Sequence, residues 1–180
     1  MQLTVNKFRN MLMSNTSIES QNPDLSIAFR SYEPNYRDEI CAWVPDESTL
    51  KLISGDRGER LEPAILQEWV ARSMAAHVLL ADSQIVGFAT ISTSEWPFPA
   101  YLAVCEMCHL IIRPDARRLG FGSMMVTSLL HAIRRNGFGA GVARVLPDNL
   151  PGLELFNKAR WSEKADEWCG KQFRWFLKEC

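Results

Sequence analysis

Apolar positions change their spacing several times along the chain, and each change marks an element. Leu25 to Ser31 alternates apolar and polar residues and predicts a first strand. From Asn35 to about Val44 the spacing turns helical, and Pro45 stops it. Asp46 to Glu62 is a loop or a short helix holding Ser54-Gly55-Asp56-Arg57-Gly58. Pro63 suits the first turn of a helix reaching Ala75, with Ile65, Leu66, Trp69, Val70 and Met74 on one stripe. His77 to Ala81 and Ile85 to Ser92 predict two strands joined as a hairpin by Asp82-Ser83-Gln84. Trp96-Pro97-Phe98-Pro99 predicts a loop, because its two prolines lack the N–H a strand ladder needs.

Tyr101 to Ile112 is the longest apolar run and the expected central strand, closed by Arg113-Pro114. A helix from Ser123 follows, with Met125 or Val126, Leu129, Leu130 and Ile133 facing inward and Arg134 and Arg135 at the end the helix dipole favours for cations. Gly137 closes it, Ala140 to Val145 is a strand, and Pro151 to about Ala159 is a helix. The tail predicts a hairpin around Cys169-Gly170, with Phe173, Trp175 and Leu177 on one face. Strands alternate with helices and nothing repeats, so the class is α/β with a mixed sheet.

Composition narrows the function classes. The chain has 180 residues, 47% of them apolar and 23% charged, and is long enough to bury one real core. A formal net charge of −1 supplies no basic field for nucleic acid. No apolar stretch reaches the ~18–20 residues that span a bilayer, so a membrane is not an expected partner. Residues 1–24 are polar and Ser/Asn-rich, without the apolar stretch of a signal peptide. They predict a disordered tail or, given Met11 and Met13, an over-long start, leaving 25–180 as the domain and the cytoplasm as its expected location. Cys41, Cys105, Cys108, Cys169 and Cys180 are odd in number and irregularly spaced, which argues against a disulfide framework. Cys105 and Cys108 fall inside the central strand, where residues three apart point to opposite faces, so no metal site is expected of them.

The chemistry begins at Arg117-Arg118-Leu119-Gly120-Phe121-Gly122, between the central strand and the helix that opens at Ser123. Residues without a Cβ let the backbone turn tightly and approach a ligand. Free N–H groups at the start of the helix, together with its dipole, favour an anion in the turn. Arg117 and Arg118 add positive charge beside it, so the segment reads as a diphosphate cradle. Gly137-Phe138-Gly139-Ala140-Gly141 precedes a strand instead of opening a helix and is a connector.

This R-x-x-G-x-G turn, set between a strand and a helix and followed by a strand that ends near Asn149, resembles the GCN5-related N-acetyltransferase (GNAT) family. The family's later segment, Asn-x-x-Ala, then Tyr-Glu-Lys, then Gly-Phe, stands here as Asn149-Leu-Pro-Gly152-Leu-Glu-Leu-Phe156-Asn-Lys158-Ala-Arg160-Trp161. The stronger part of the likeness covers about Leu102 to Trp161, and element order extends it to Leu25 through Lys178. It implies a single-domain fold with a mixed, mostly antiparallel sheet, a splayed parallel pair of central strands, and flanking helices. It also implies acetyl-CoA as co-substrate, with no metal. Residues Arg117, Arg118, Leu119, Gly120, Phe121, Gly122 and Ser123 would hold the diphosphate. The backbone of Leu110, Ile111 and Ile112 would run along the thioester and pantetheine. Asn149 would hydrogen-bond the pantetheine arm or stabilise the strand end. Leu119 stands where the family often has Gly or Lys.

The implied reaction is transfer of acetyl to a primary amine in a ternary complex. A base must take the amine proton, and a fixed N–H must stabilise charge on the thioester oxygen. Glu106, eleven residues before Arg117, has the spacing of the catalytic glutamate in histone-type members. Strict alternation puts it on one face with Cys108 and Leu110, unless a bulge intervenes, and His109 on the other, where a packed or solvent-facing histidine is the expected role over a catalytic one. Phe156 takes the place of the tyrosine usually beside the CoA sulfur and has no proton to give. Arg160 replaces the usual glycine before the aromatic. Trp43, Trp69, Trp96 and Phe98 lie in segments that wall the acceptor pocket in the family, with core packing the simpler role for Trp69. The acceptor is a small molecule or a protein amine, a homodimer is left open, and the alternative function is an idle CoA-binding module.

Overall fold

The longest apolar run forms strand β5, Val104–Ile112, inside a sheet with eight strands among the described residues. The computed structural model describes residues 16–17, 26–55, 58–93, 103–164 and 173–180. Strands β1 (Thr16–Ser17), β2 (Ile27–Ser31), β3 (Ala75–Ala81) and β4 (Gln84–Thr93) precede β5, each antiparallel to the next. On the other side β6 (Ala140–Val145) runs parallel to β5. The last strand, β8 (Arg174–Glu179), inserts antiparallel between β6 and β7 (Ser162–Lys164). The sheet is therefore mixed and mostly antiparallel with one parallel pair, as the likeness to the family implied. Pairing of β5 with β6 runs only from Val104↔Ala140 to Met107↔Ala143, so residues 108–112 of β5 continue without β6. That divergence opens a cleft between two parallel strands.

Helices α1 (Arg37–Ala42), α2 (Glu47–Ser54) and α3 (Pro63–Arg72) cover one face, and α4 (Phe121–Arg135) and α5 (Leu150–Lys158) the other. Their apolar stripes at three- and four-residue spacing make two cores, one on each side of the sheet. Ile40, Leu50, Leu66, Phe88 and Ile111 lie in the first, and Leu79, Met107, Met125, Leu129 and Phe176 in the second. Each such side chain contributes about 1.5–3 kcal/mol over its exposed state, before the entropy of ordering it. Trp175 and Leu177 bury a third small cluster with Phe173 against it, the face expected of the tail strand.

Several boundaries differ from those the sequence predicts. The segment left as loop or short helix contains α2, because Asp46 accepts from Thr49 N–H at 2.8 Å to cap its start. Gly55, at φ +73°, ends it in a left-handed cap, its N–H donating to Lys51 O at 2.8 Å. Helix α4 begins at Phe121, before the expected Ser123. Strand β3 starts at Ala75, in register with Ile91 and before the expected His77. Asp82 and Ser83 both adopt positive φ, the two-residue turn whose twist matches a hairpin. Within the expected N-terminal tail, Thr16–Ser17 pairs with Phe29 and Ala28. The Trp96 to Pro99 loop, the Cys169-Gly170 turn and Cys169 itself lie outside the described residues. Among the described residues no helix is long and apolar enough to cross a membrane.

Candidate functional site

The glycine turn is held firmly at its entrance. Arg113 N–H donates to Val86 O at 2.9 Å, its Nη1 to Ile85 O at 3.2 Å, and its Nε pairs with Asp115 at 2.7 Å. A 3-10 turn over Pro114–Ala116 then leads to Gly120, which caps α4 at φ +91°. A Cβ on Gly120 would meet nothing within 4 Å, so open space stands beside the turn. Gly120 has no side chain with which to cap the helix, and the first-turn N–H groups of Phe121, Gly122 and Ser123 have no intrahelical acceptor by helix geometry. These donors and the positive end of the 15-residue helix converge where an anion would sit. Phe121 is buried and anchors the helix, whereas Leu119 is 65% exposed. Gly122 lies against α5 and β5: its Cβ would come to 3.5 Å from Leu155 and 3.8 Å from Ile112. Both arginines flank the turn with a protein partner each. Arg117 Nε donates to Ile112 O at 3.1 Å, and Arg118 Nη1 approaches Glu154 Oε2 at 3.4 Å.

Beyond Met107, β5 carries a bulge. Thr90 pairs with Cys108 and Phe88 with Ile111, so His109 and Leu110 together oppose Ala89. His109 absorbs the extra residue in a left-handed conformation, φ +53°. Cys105 and Met107 face the α4 side; after the bulge Leu110 packs on that side too, and Ile111 on the other. Strict alternation put Leu110 with Glu106 and His109 opposite. The bulge reverses this, removing Leu110 from the face of Glu106 and bringing the His109 ring onto Trp69 of α3.

That stack walls a pocket of about 360 Å³. Ser54 enters from α2, Ile65, Glu68, Trp69 and Arg72 from α3, Ser92 from β4 and His109 from β5. The two rings lie 4.0 Å apart and 6° from parallel, and His109 Nδ1 is 2.8 Å from Thr90 Oγ1. At the rim Glu68 and Arg72 pair at 2.6 Å. Ser92, directly across from Glu106 in the ladder, links this pocket to the strand splay.

Glu106 is 6% exposed and forms an ion pair with Arg144 of β6, whose Nε donates to Oε1. The Arg144 guanidinium stands 5.5 Å from the ring centroids of both Phe173 and Trp175. Beside it, burial and the Glu106 charge push the Cys108 thiol up to about 12, which keeps it protonated at neutral pH. Burial does the same to Cys105, also about 12. Asn149 Oδ1 accepts from Gly152 N–H at 3.0 Å and Nδ2 donates to Leu52 O at 3.1 Å, so its amide caps α5 and ties it to α2. Phe156 is buried edge-on to Trp161 at 5.1 Å and stacked on Phe176 at 5.5 Å.

The glycine turn lies at one end of the region where β5 and β6, the parallel pair, part. The chain belongs to the acetyltransferase (GNAT) family, which it matches over residues 32–160. Its fold is shared by the GNAT domain of PAT from S. lividans, with a TM-score of 0.72 at 11% identity, over 92% of this chain and 97% of that one. An N-acetyltransferase from Staphylococcus aureus Mu50 superposes with a TM-score of 0.62 at 17% identity, over 85% and 98% of the two chains. The yncA protein of Salmonella typhimurium, solved with its cofactor acetyl-CoA, gives 0.61 at 16% identity over 86% and 92%. No curated protein matches the chain in sequence.

Proposed function

We propose that this chain is an N-acetyltransferase that moves acetyl from acetyl-CoA to a primary amine by direct attack in a ternary complex. The observation that carries this is the end of β5–β6 pairing at Met107↔Ala143, beside the uncapped start of α4. Family membership supports acyl transfer, and the bound acetyl-CoA of yncA supports the choice of donor. The residues present fit that donor. Open space beside Gly120 admits a diphosphate, with Arg117, Arg118 and the backbone of Leu119 through Ser123 around it. With β6 pairing ended at Met107, the backbone of Leu110, Ile111 and Ile112 would run along the pantetheine arm. Asn149 would act on the donor's side of the splay through its cap on α5, and Phe156 from its place in the core.

The chemistry follows from the thioester. The acceptor nitrogen attacks the carbonyl carbon as a neutral amine, and a backbone N–H near Leu110 offsets the charge that grows on oxygen. Holding both partners in one cleft supplies much of the acceleration. Glu106, given by its spacing, would take the amine proton; it stands across from Ser92, which lines the pocket. The pocket against Trp69 takes the acceptor amine. Free CoA released from acetyl-CoA, separated by chromatography across polyamines, amino acids, aminoglycosides and short peptides, tests this. Amine-dependent release supports the enzyme and identifies its acceptor class; binding of acetyl-CoA with no release by any amine would favour an idle CoA-binding module. The absence of a hydroxyl at Phe156 is the one observation that favours the module.

A further inference from the structure

The pocket against Trp69 changes character from its mouth to its floor. At the mouth stand Glu68 and Arg72 from the last turns of α3, their side chains 52% and 80% exposed. Ile65 and Trp69 of the same helix make an apolar wall, with Trp69 buried. The floor is the sheet, where Ser92 lies across the ladder from Glu106, the group that would take the amine proton. A molecule matching this gradient is charged at its outer end, apolar in the middle and nucleophilic at its inner end. The sign of the outer charge follows from the ion pair. Arg72 uses Nη2 on Glu68 Oε1 at 2.6 Å, and among the described residues its guanidinium has no other partner. A planar guanidinium carries five N–H donors, enough to take a second carboxylate without giving up the first. Its weak hydration lowers the penalty of stripping water from it. Glu68 is already neutralised, so a second ammonium arriving there would meet the guanidinium beside it.

We propose that the acceptor is a small amine that also bears a carboxylate, of the amino-acid class, and that Arg72 selects it by binding the carboxylate. The inference rests on the N-acetyltransferase function proposed above. Arg72 holds the carboxylate at the mouth, the stem lies along Ile65 and Trp69, and the amine points to the sheet beside Ser92. Size and charge agree with this class. A volume of about 360 Å³ is at the small end of ligand sites, which run from about 300 to 1,000 Å³ and at this end suit a single amino acid better than a ringed polyamine. The charges of Glu68 and Arg72 cancel, so the mouth offers a polycation no attracting field, whereas a zwitterion finds a partner for its anionic end.

The test is CoA release with paired acceptors, each amino acid against its own amide. The two amines differ in basicity, and that difference cancels when the acid-to-amide ratio of kcat/KM is compared between wild type and variant. In Arg72→Gln the ratio is expected to fall about tenfold, through KM, while the affinity for acetyl-CoA and the circular dichroism spectrum hold. Arg72→Glu should turn the preference toward the amides. Glu68→Gln removes the carboxylate that repels the acids, so it should lower their KM about two- to threefold at low ionic strength, with the gain lost at half-molar salt. The same ratio in wild type and Arg72→Gln, or turnover of polyamines or aminoglycosides alone, would overturn the inference and leave the enzyme standing. A wild-type chain that binds acetyl-CoA but releases no CoA with any amine would instead remove the enzymatic function, and this inference with it.

Discussion

Asn149 Nδ2 donates to the carbonyl of Leu52 at 3.1 Å, joining residues 97 positions apart across the two helical layers. The same amide caps α5 through Gly152 N–H. One side chain therefore fixes the helix beyond the strand splay in two directions. Asn149→Ala is expected to lower stability by about 1–3 kcal/mol, a lost cap plus a half-buried carbonyl left without this donor. Asn149→Asp keeps the cap and replaces the donor with a second acceptor, so it should recover only part of the loss. Urea unfolding of the three proteins measures this, and full recovery in the Asp variant would show that the Leu52 bond contributes nothing.

Gly122→Asp examines the proposed diphosphate cradle directly. A Cβ there makes ordinary contact with Leu155 at 3.5 Å, so the helix accommodates the side chain. Its carboxylate would stand among the N–H donors and beside Arg117 and Arg118, where a second anion is then repelled. CoA affinity by calorimetry should fall at least 100-fold while the circular dichroism spectrum and the unfolding midpoint stay within a few degrees. Unchanged affinity would place the diphosphate elsewhere.

The parts of this site that were legible in the sequence are the local ones. Periodicity located the central strand, the glycine turn fixed the start of α4 to within two residues, and the tail residues Phe173, Trp175 and Leu177 lay on the face expected. Helix α2 was marked by its Asp46 cap and Gly55 stop, but its short length and weak stripe left it ambiguous with a loop. The bulge had no local signal. His109 and Leu110 have ordinary strand neighbours, and only the register against Ala89 shows that two residues oppose one. The Glu106–Arg144 and Asn149–Leu52 contacts were hidden for the same reason, because each joins segments brought together by the sheet.

Arg118 and Glu154 meet at 3.4 Å between the cradle and α5, and a bound diphosphate would compete for that guanidinium. Both side chains are largely exposed, so the pair contributes under about 1 kcal/mol and is screened by salt. Glu154→Gln should therefore tighten CoA binding by about two- to fivefold at low ionic strength, with the gain lost at half-molar salt. A salt-independent effect, or weaker binding, would show that Glu154 acts on the cofactor by another route.

His77 predicts how the fold responds to acid. It is 3% exposed on β3 and stacked on Phe29 at 4.6 Å, and among the described residues neither ring nitrogen has a partner in good hydrogen-bond geometry, the Arg30 backbone being only a weak contact. Burial lowers its pKa from 6.5 to about 4, with Arg135 adding to the shift and the Arg30 backbone opposing it. The folded-state pKa is the lower one, so between those values the unfolded chain binds a proton that the folded chain does not. Stability from this residue is thus whole above about pH 6.5 and falls as pH drops toward 4, by about 1.4 kcal/mol per unit and about 3 kcal/mol in all. His77→Leu removes the titration and two unsatisfied polar atoms at similar volume. It should flatten the plot of unfolding free energy against pH between 6.5 and 4.5, and raise stability at pH 7 by about 1 kcal/mol. The proton count of unfolding, from urea denaturation at several pH values, should fall by up to one in that window. An unchanged slope would assign the acid sensitivity to another group and leave His77 without a role in it.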